Sequence, residues 1–490
     1  MPMLDSVTFR PELQNKINIS DSQEEKGTLS FSPDLRIHPT TNTTQSEMSI
    51  AVHPSNPNII LVGANTSDYP VTTIYGTGWY ISADGGYTWR GSDIPPTGYN
   101  HGDPAAAIDI NGFFYIGSIA SDFGQGIIRS IDGGLTWEYF TVSSPPASGI
   151  LDKNHLHVDN SISSPYKGYL YVGWTNFGKP SPYPIEITKS TDHGNSWSQP
   201  VVVSNGLQVN SSGFHQGVNI QTGPNGEVYV VWAVYTSWPD VERKIGFNKS
   251  FNGGETWEGA KAIIEDIKGI RTSAFGPYGI RANSFPSMAV DNSNGPYRGR
   301  IYVTWTNVGV PGENLGDPDI YLIHSDDNGV TWSSPIRVND DPINNGAYQW
   351  FPWVAVDQHT GVVYVIFYDG RNFIGDNKAE IYVAYSTNGG FTFTNICVSD
   401  ETFVVGPLPG FKYNYNGDYI GIASFKGQVY PVWNSQMPED NSQAWISPFS
   451  TGIAAAEGIM DLTPALMDID NDGREVFLAK LSGINRKEQT

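Results

Sequence analysis

Residues suited to acid, base or anion-holding work stand at the entries to short apolar runs. Glu47 lies in SEMSIAV (46–52), Asp103 in NHGDPAAAI (100–108), and Lys153 with His155 in DKNHLHVD (152–159). His215 lies in GFHQGVNI (213–220), Arg281 just before Asn283, and Trp350 in YQWFPWVAV (348–356). Tyr415 and Asp418 lie in YNYNGDYIGI (413–422), and Arg371 in FYDGRN (367–372). Two carboxyls held in different protonation states can cleave a glycosidic bond, and Glu47, Asp103 and Asp418 are the candidates for that pair. Lys153, His155, Arg281, Trp350 and Arg371 are candidate substrate contacts, through charge or through an aromatic face. His215 and Tyr415 offer a second chemistry. A uronate lyase needs a cation for the carboxylate and a His or Tyr to move the α-proton. Asp369 and Arg371 also admit a plain structural ion pair.

These positions recur at intervals, so a repeated unit must hold them. The phrase Ser-x-Asp-x-Gly-x-Thr-Trp starts at Ser82, Ser130, Ser190, Ser250, Ser325 and Ser386, with gaps of 48, 60, 60, 75 and 61 residues. Asn252 and Asn388 replace the Asp in the fourth and sixth copies, and Phe393 replaces the last Trp. Asp or Asn accepting from backbone N–H groups and Gly at positive φ make this a hairpin turn. Nothing in it pairs a nucleophile with a base. Upstream of each copy runs an aromatic strand such as GYLYVGWTN (168–176) or GRIYVTWTN (299–307), and a seventh, GQVYPVW (427–433), has no box after it. In the fifth unit the four strands are SFPSMAVD, GRIYVTWTN, DIYLIHSD and PIRVND. Seven such units predict an all-β, seven-bladed β-propeller of four-stranded antiparallel blades, with six blades as the alternative. SPDLRIHPTT (32–41) reads as the strand that closes the ring. The expected division is an N-terminal extension over 1–31, the propeller over 32–450, and a tail packing beside it over 451–490.

The boxes resemble the Asp boxes, or bacterial neuraminidase repeats, of sialidase-like propellers. That resemblance implies the propeller fold and an arginine triad with a Tyr nucleophile and an Asp acid/base. At the place of the first arginine this chain has Glu47 or Met48. The expected function is therefore a carbohydrate-active enzyme of glycoside hydrolase type, cutting an acidic glycan at the central channel, rather than a sialidase. A polysaccharide lyase and a non-catalytic glycan- or protein-binding propeller are the alternatives. Entry residues that differ from blade to blade favour one asymmetric site over seven equal ones.

Fifty acids against 28 bases leave a net charge of −22, which repels phosphate backbones and anionic lipid. No apolar run is long enough for a membrane span. The single cysteine, Cys397, allows neither an intrachain disulfide nor a Cys-based zinc site. No cofactor is required by this chemistry. MDIDNDGRE (467–475) places Asp468, Asp470 and Asp472 as a partial calcium loop, with Ala479 where an EF-hand has Glu. A glycan partner, a monomeric state and a secreted or periplasmic location are expected, although no basic n-region and apolar h-region mark a signal peptide.

Overall fold

The computed structural model describes residues 29–453, apart from 41, 208, 210–212, 238–240, 314–315 and 437–440, together with the strand pair Asp468–Ile469 and Glu475–Val476. The described chain is almost wholly strand and turn, with a 3-10 turn at Gly276–Tyr278. Five units form separate four-stranded antiparallel sheets in simple chain order. Their first, innermost strands are Thr43–His53, Ala105–Ile108, Leu151–Val158, Phe214–Thr222 and Ser287–Val290.

Here the structure corrects the repeat count. Five blades stand alone, not seven or six, because the strands of the sixth and seventh sequence units share one eleven-stranded sheet. The cause is Phe403–Val404, a two-residue strand that the repeat pattern does not contain. Phe403 pairs with Ala379 on one side and Val404 with Gln436 on the other, stitching the two units together. The first strands of those units, Gln349–Val356 and Gly421–Phe425, continue the succession of inner strands, and Gly421–Phe425 packs back on Thr43–His53. Leu35 and Arg36 pair with Ile446 and Trp445, so the N-terminal segment supplies an outer strand beside the last unit.

Burial explains why the second strands read as unbroken apolar runs. Leu170–Asn176 and Val228–Tyr235 are buried at every residue, because sheets cover both of their faces. Trp174, Trp232, Trp305 and Trp433 are fully buried at matching places in their strands.

The box turns the third strand into the fourth. In the second copy Asp132 accepts from Leu135 N at 3.0 Å, Thr136 N at 2.9 Å and Thr136 Oγ1 at 2.5 Å, and Ser130 Oγ accepts from Gly134 N at 2.7 Å. Gly133 and Gly134 adopt φ of 72° and 86°. Slight burial opposes the charge on Asp132, but the Thr136 hydroxyl and amide outweigh it and hold the carboxyl at about 2. Asp132→Ala is expected to cost about 1 kcal/mol of stability at pH 7. A depressed carboxyl stabilises above its unfolded pKa near 3.8 and ceases to as pH falls through about 2. Denaturant unfolding of the variant and parent should therefore differ at pH 7 and converge toward pH 2.

Candidate active site

The inner strands carry a shared irregularity. Ser46 pairs with Asn65 and Ser49 with Gly63, so Glu47 and Met48 together face a single partner residue. The same two-against-one step occurs between Asp152 and His155, between Gln216 and Asn219, and between Trp350 and Trp353. In each bulge the first residue is left-handed: Glu47 at φ 56°, Lys153 at 62°, Gly217 at 71° and Phe351 at 53°. Asp103, at 61°, occupies the corresponding place in the second unit, following Gly102, whose carbonyl accepts from Ile119 N. This bulge position normally takes glycine. Glu, Asp and Lys there each cost on the order of 1–2 kcal/mol of backbone strain.

Those three side chains meet in a cavity of about 980 Å³, whose wall also includes Asp152, Arg281, Tyr415 and Asp418. Asn65 joins three units at its rim. Its amide donates to Glu47 Oε2 at 2.6 Å and to the Tyr415 hydroxyl at 3.0 Å, while its carbonyl accepts from Asp103 N at 2.7 Å. Arg281 forms a two-pronged pair with Asp418, through Nε to Oδ1 at 3.1 Å and through Nη2 to Oδ2. Asn283 adds a third donor to that carboxylate at 3.1 Å. Lys153 Nζ sits 3.6 Å from the centre of the Tyr419 ring, and Arg281 stacks 5.0 Å over Tyr415. Gln216 donates to Asp152 Oδ2 at 3.0 Å.

Burial opposes the ionisation of Glu47, Asp103 and Asp152. Burial, then Asp103 and Asp418, raise Glu47 well above the usual carboxylate range, and Lys153 and Arg281 only partly oppose them. Asp103 is raised by burial, against the pull of Lys153 and a hydrogen bond with Glu47. Both carboxyls are thus biased toward their neutral forms. Burial and Asp103 push Asp152 up to about 7. Burial lowers Lys153 against the attraction of the surrounding acids. Burial also opposes charge on Arg281, but Asp418 and Glu47 prevail and keep it a firm cation. Tyr415 is raised by burial and by Glu47, so its hydroxyl stays protonated.

Of the residues singled out in the sequence, Glu47, Asp103, Lys153, Arg281, Tyr415 and Asp418 come together. The other four lie elsewhere. His215 is buried, with Nδ1 accepting from Trp232 Nε1 at 2.9 Å and burial holding it at about 4. His155 accepts from Ile220 N at 3.3 Å and is kept neutral by burial and by Lys153. Trp350 is fully buried, stacked 5.1 Å from Tyr368 in an aromatic core. Arg371 pairs with Asp369 at 2.7 Å and Asp340 at 2.5 Å, which is the structural ion pair offered as its alternative.

Asn65 and Asp152 were not among the chosen site residues. Asn65 lies toward the end of the second strand Asn56–Asp68, where other units carry Asn176, Asn307, Asp369 and Asn434, a recurrence legible once those strands are aligned. Among the described residues, no group of three or more His, Cys, Asp or Glu is arranged to hold a metal. Asp470 and Asp472 lie outside the described residues, as does the side chain of Asp468. No helix among the described residues is long and apolar enough to cross a membrane.

No family model matches the chain. It is 27% identical over 342 residues to the xyloglucanase Xgh74A of Acetivibrio thermocellus, a match covering 62% of this chain and 35% of that protein. The match thus spans about a third of the length of the curated relative. Among solved structures, an ulvan-type polysaccharide lyase bound to a GlcA–Rha3S unit superposes with a TM-score of 0.47 at 10% identity, over 83% of this chain and 94% of that one. A Fusarium graminearum α-L-arabinofuranosidase with arabinobiose gives 0.46 at 13% identity, over 69% and 92%.

The proton on Asp152 has a stability signature. Its folded pKa, about 7, lies above the unfolded value near 3.8, so the folded chain binds more protons between those limits. Stability then falls as pH rises through that window. Asp152→Asn should flatten part of this decline, giving a smaller loss of urea midpoint between pH 4.5 and 7.5 than the parent shows.

Proposed function

We propose that the chain is a carbohydrate-active hydrolase that cleaves a glycosidic bond in this cavity, with Glu47 as proton donor. The observation that carries the reading is Glu47, buried on the cavity wall beside Asp103, with its carboxyl held by Asn65. A carboxylic acid kept neutral at working pH is what protonation of a leaving glycosidic oxygen requires. Because the charge of Asp103 opposes ionisation of Glu47, Asp103 keeps Glu47 an acid rather than serving as the nucleophile. The second role falls to Asp152, poised near neutrality, which takes a proton from water as that water's oxygen bonds to the sugar carbon. The glycosidic C–O bond breaks, and the proton of Glu47 goes to the leaving oxygen.

Sequence likeness to a xyloglucanase supports a carbohydrate substrate, and so does the resemblance of the boxes to those of sialidase-like propellers. Hydrolysis is favoured over β-elimination. Arg281, the cation suited to a uronate, is already bound two-pronged to Asp418, and His215 is sealed against Trp232. Together with the net charge of −22, this favours a neutral glycan over the acidic one expected from sequence.

Incubation with xyloglucan, linear arabinan and ulvan, followed by both reducing-end and unsaturated-product assays, tests the reading. New reducing ends without unsaturation are expected, with activity rising through about pH 7 as Asp152 ionises and falling once Glu47 loses its proton. Glu47→Gln should lower kcat by about 10²–10⁴-fold. Unsaturated products would select the lyase, and binding without either product a non-catalytic propeller.

A further inference from the structure

Two large aromatic residues, one lining the cavity and one stacked on a residue that does, are exposed and left-handed at once. Tyr413 has φ 61°, is 76% exposed and lines the cavity. Phe123 has φ 70° and is 42% exposed. Its ring stacks 4.1 Å from His101, which lines the cavity in turn, with Tyr99 OH 2.8 Å from His101 Nδ1. A bulky residue in this region pays a backbone cost, and glycine or asparagine would do the turn's work more cheaply. Tyr413, 76% exposed, gains little from burial to offset that cost, and Phe123 is covered only in part, on its His101 side. Their backbones are nonetheless held. The Phe123 carbonyl accepts from Leu151 N at 3.0 Å and its N–H donates to Ala120, while the next residue after Tyr413, Asn414, accepts from Arg281 N at 2.8 Å.

Their placement is informative. Phe123 follows the second strand of the second unit, and Tyr413 precedes the inner strand of the last. The inner strands of those two units pack on either side of Thr43–His53, which carries Glu47. The acid is thus flanked by an aromatic platform on each side. A flat π-face accepts the C–H face of a sugar ring, and a phenol adds a hydrogen bond at its edge. Resting on the hydrolase reading, the geometry points to Phe123 and Tyr413 as sugar-stacking subsites on opposite sides of the cleaved bond. The substrate is then a neutral polysaccharide lying across the mouth and cut within its length, rather than a short glycoside entering by one end.

Asparagine tolerates left-handed φ, so Phe123→Asn and Tyr413→Asn remove each ring without disturbing its turn. In native gels containing xyloglucan, linear arabinan, arabinoxylan or ulvan, the Glu47→Gln protein avoids cleavage and reports binding alone. Retardation by at least one neutral polymer is expected. Each Asn substitution should weaken it about tenfold and the double variant about a hundredfold, with thermal unfolding midpoints unchanged or raised. With the unsubstituted enzyme, viscosity should fall well ahead of reducing-end release. Retardation by the neutral polymer that is unchanged in the double variant, or reducing ends released before viscosity falls, would overturn the two-sided platform and leave the hydrolase reading standing. Retardation by ulvan alone would overturn the neutral class. Retardation by none of the four would overturn the hydrolase reading itself and the platform with it.

Discussion

A left-handed residue where the inner strand bulges is the constraint from which the site follows. Ladder pairing on either side of the bulge fixes the backbone, and the extra residue then has one direction left for its side chain. Glu47, Asp103 and Lys153 take that place in three successive units, and all three line the same cavity. Glycine would be the relaxed choice, and Gly217 takes it in the fourth unit, where a Cβ would come within 2.3 Å of the Phe285 ring. Phe351 takes the same left-handed place in the sixth unit but is buried away from the cavity, so the bulge fixes where a side chain starts and the residue type decides what it brings.

Gathering these side chains creates an electrostatic problem that the rest of the cavity answers. Arg281 and Asn283 occupy Asp418, Gln216 and a backbone N–H hold Asp152, and Asn65 fixes Glu47 against the turn before Asp103. Lys153, over the Tyr419 ring, adds positive charge beside the acids. The remaining imbalance opposes the ionisation of Glu47 and Asp103. A cluster like this lowers stability at neutral pH, which the buried second strands and their tryptophans must offset. The hairpin boxes help from the outer edge, where their carboxyl groups are ionised and well bonded.

Much of the fold was legible because the unit repeats: box, aromatic strand and inner-strand entry each recur, and four-stranded antiparallel sheets resulted. The junction of the last two units was not. Phe403–Val404 is too short to show a period, and its pairing with two sheets depends on tertiary contact alone. Reading strand entries also named six residues that line one cavity, and four that do not. Within a kinked strand a shift of one position reverses the side-chain direction. Trp350 precedes left-handed Phe351 and turns into an aromatic core, and His215, two before Gly217, turns toward Trp232. Asn65 escaped notice because NIILVGAN lacks the aromatic signature of the later second strands.

The claim on which the function depends is that the cavity keeps a proton on the Glu47 carboxyl at neutral pH. Carboxyl-carbon NMR of glutamate-labelled protein, with Glu47 assigned by difference from Glu47→Gln, measures this directly. A Glu47 signal of the protonated form is expected to persist at pH 7 and to move only at higher pH, together with the Asp103 titration in a parallel aspartate-labelled sample. A Glu47 signal that titrates near 4.5, as a solvated glutamate does, would contradict it.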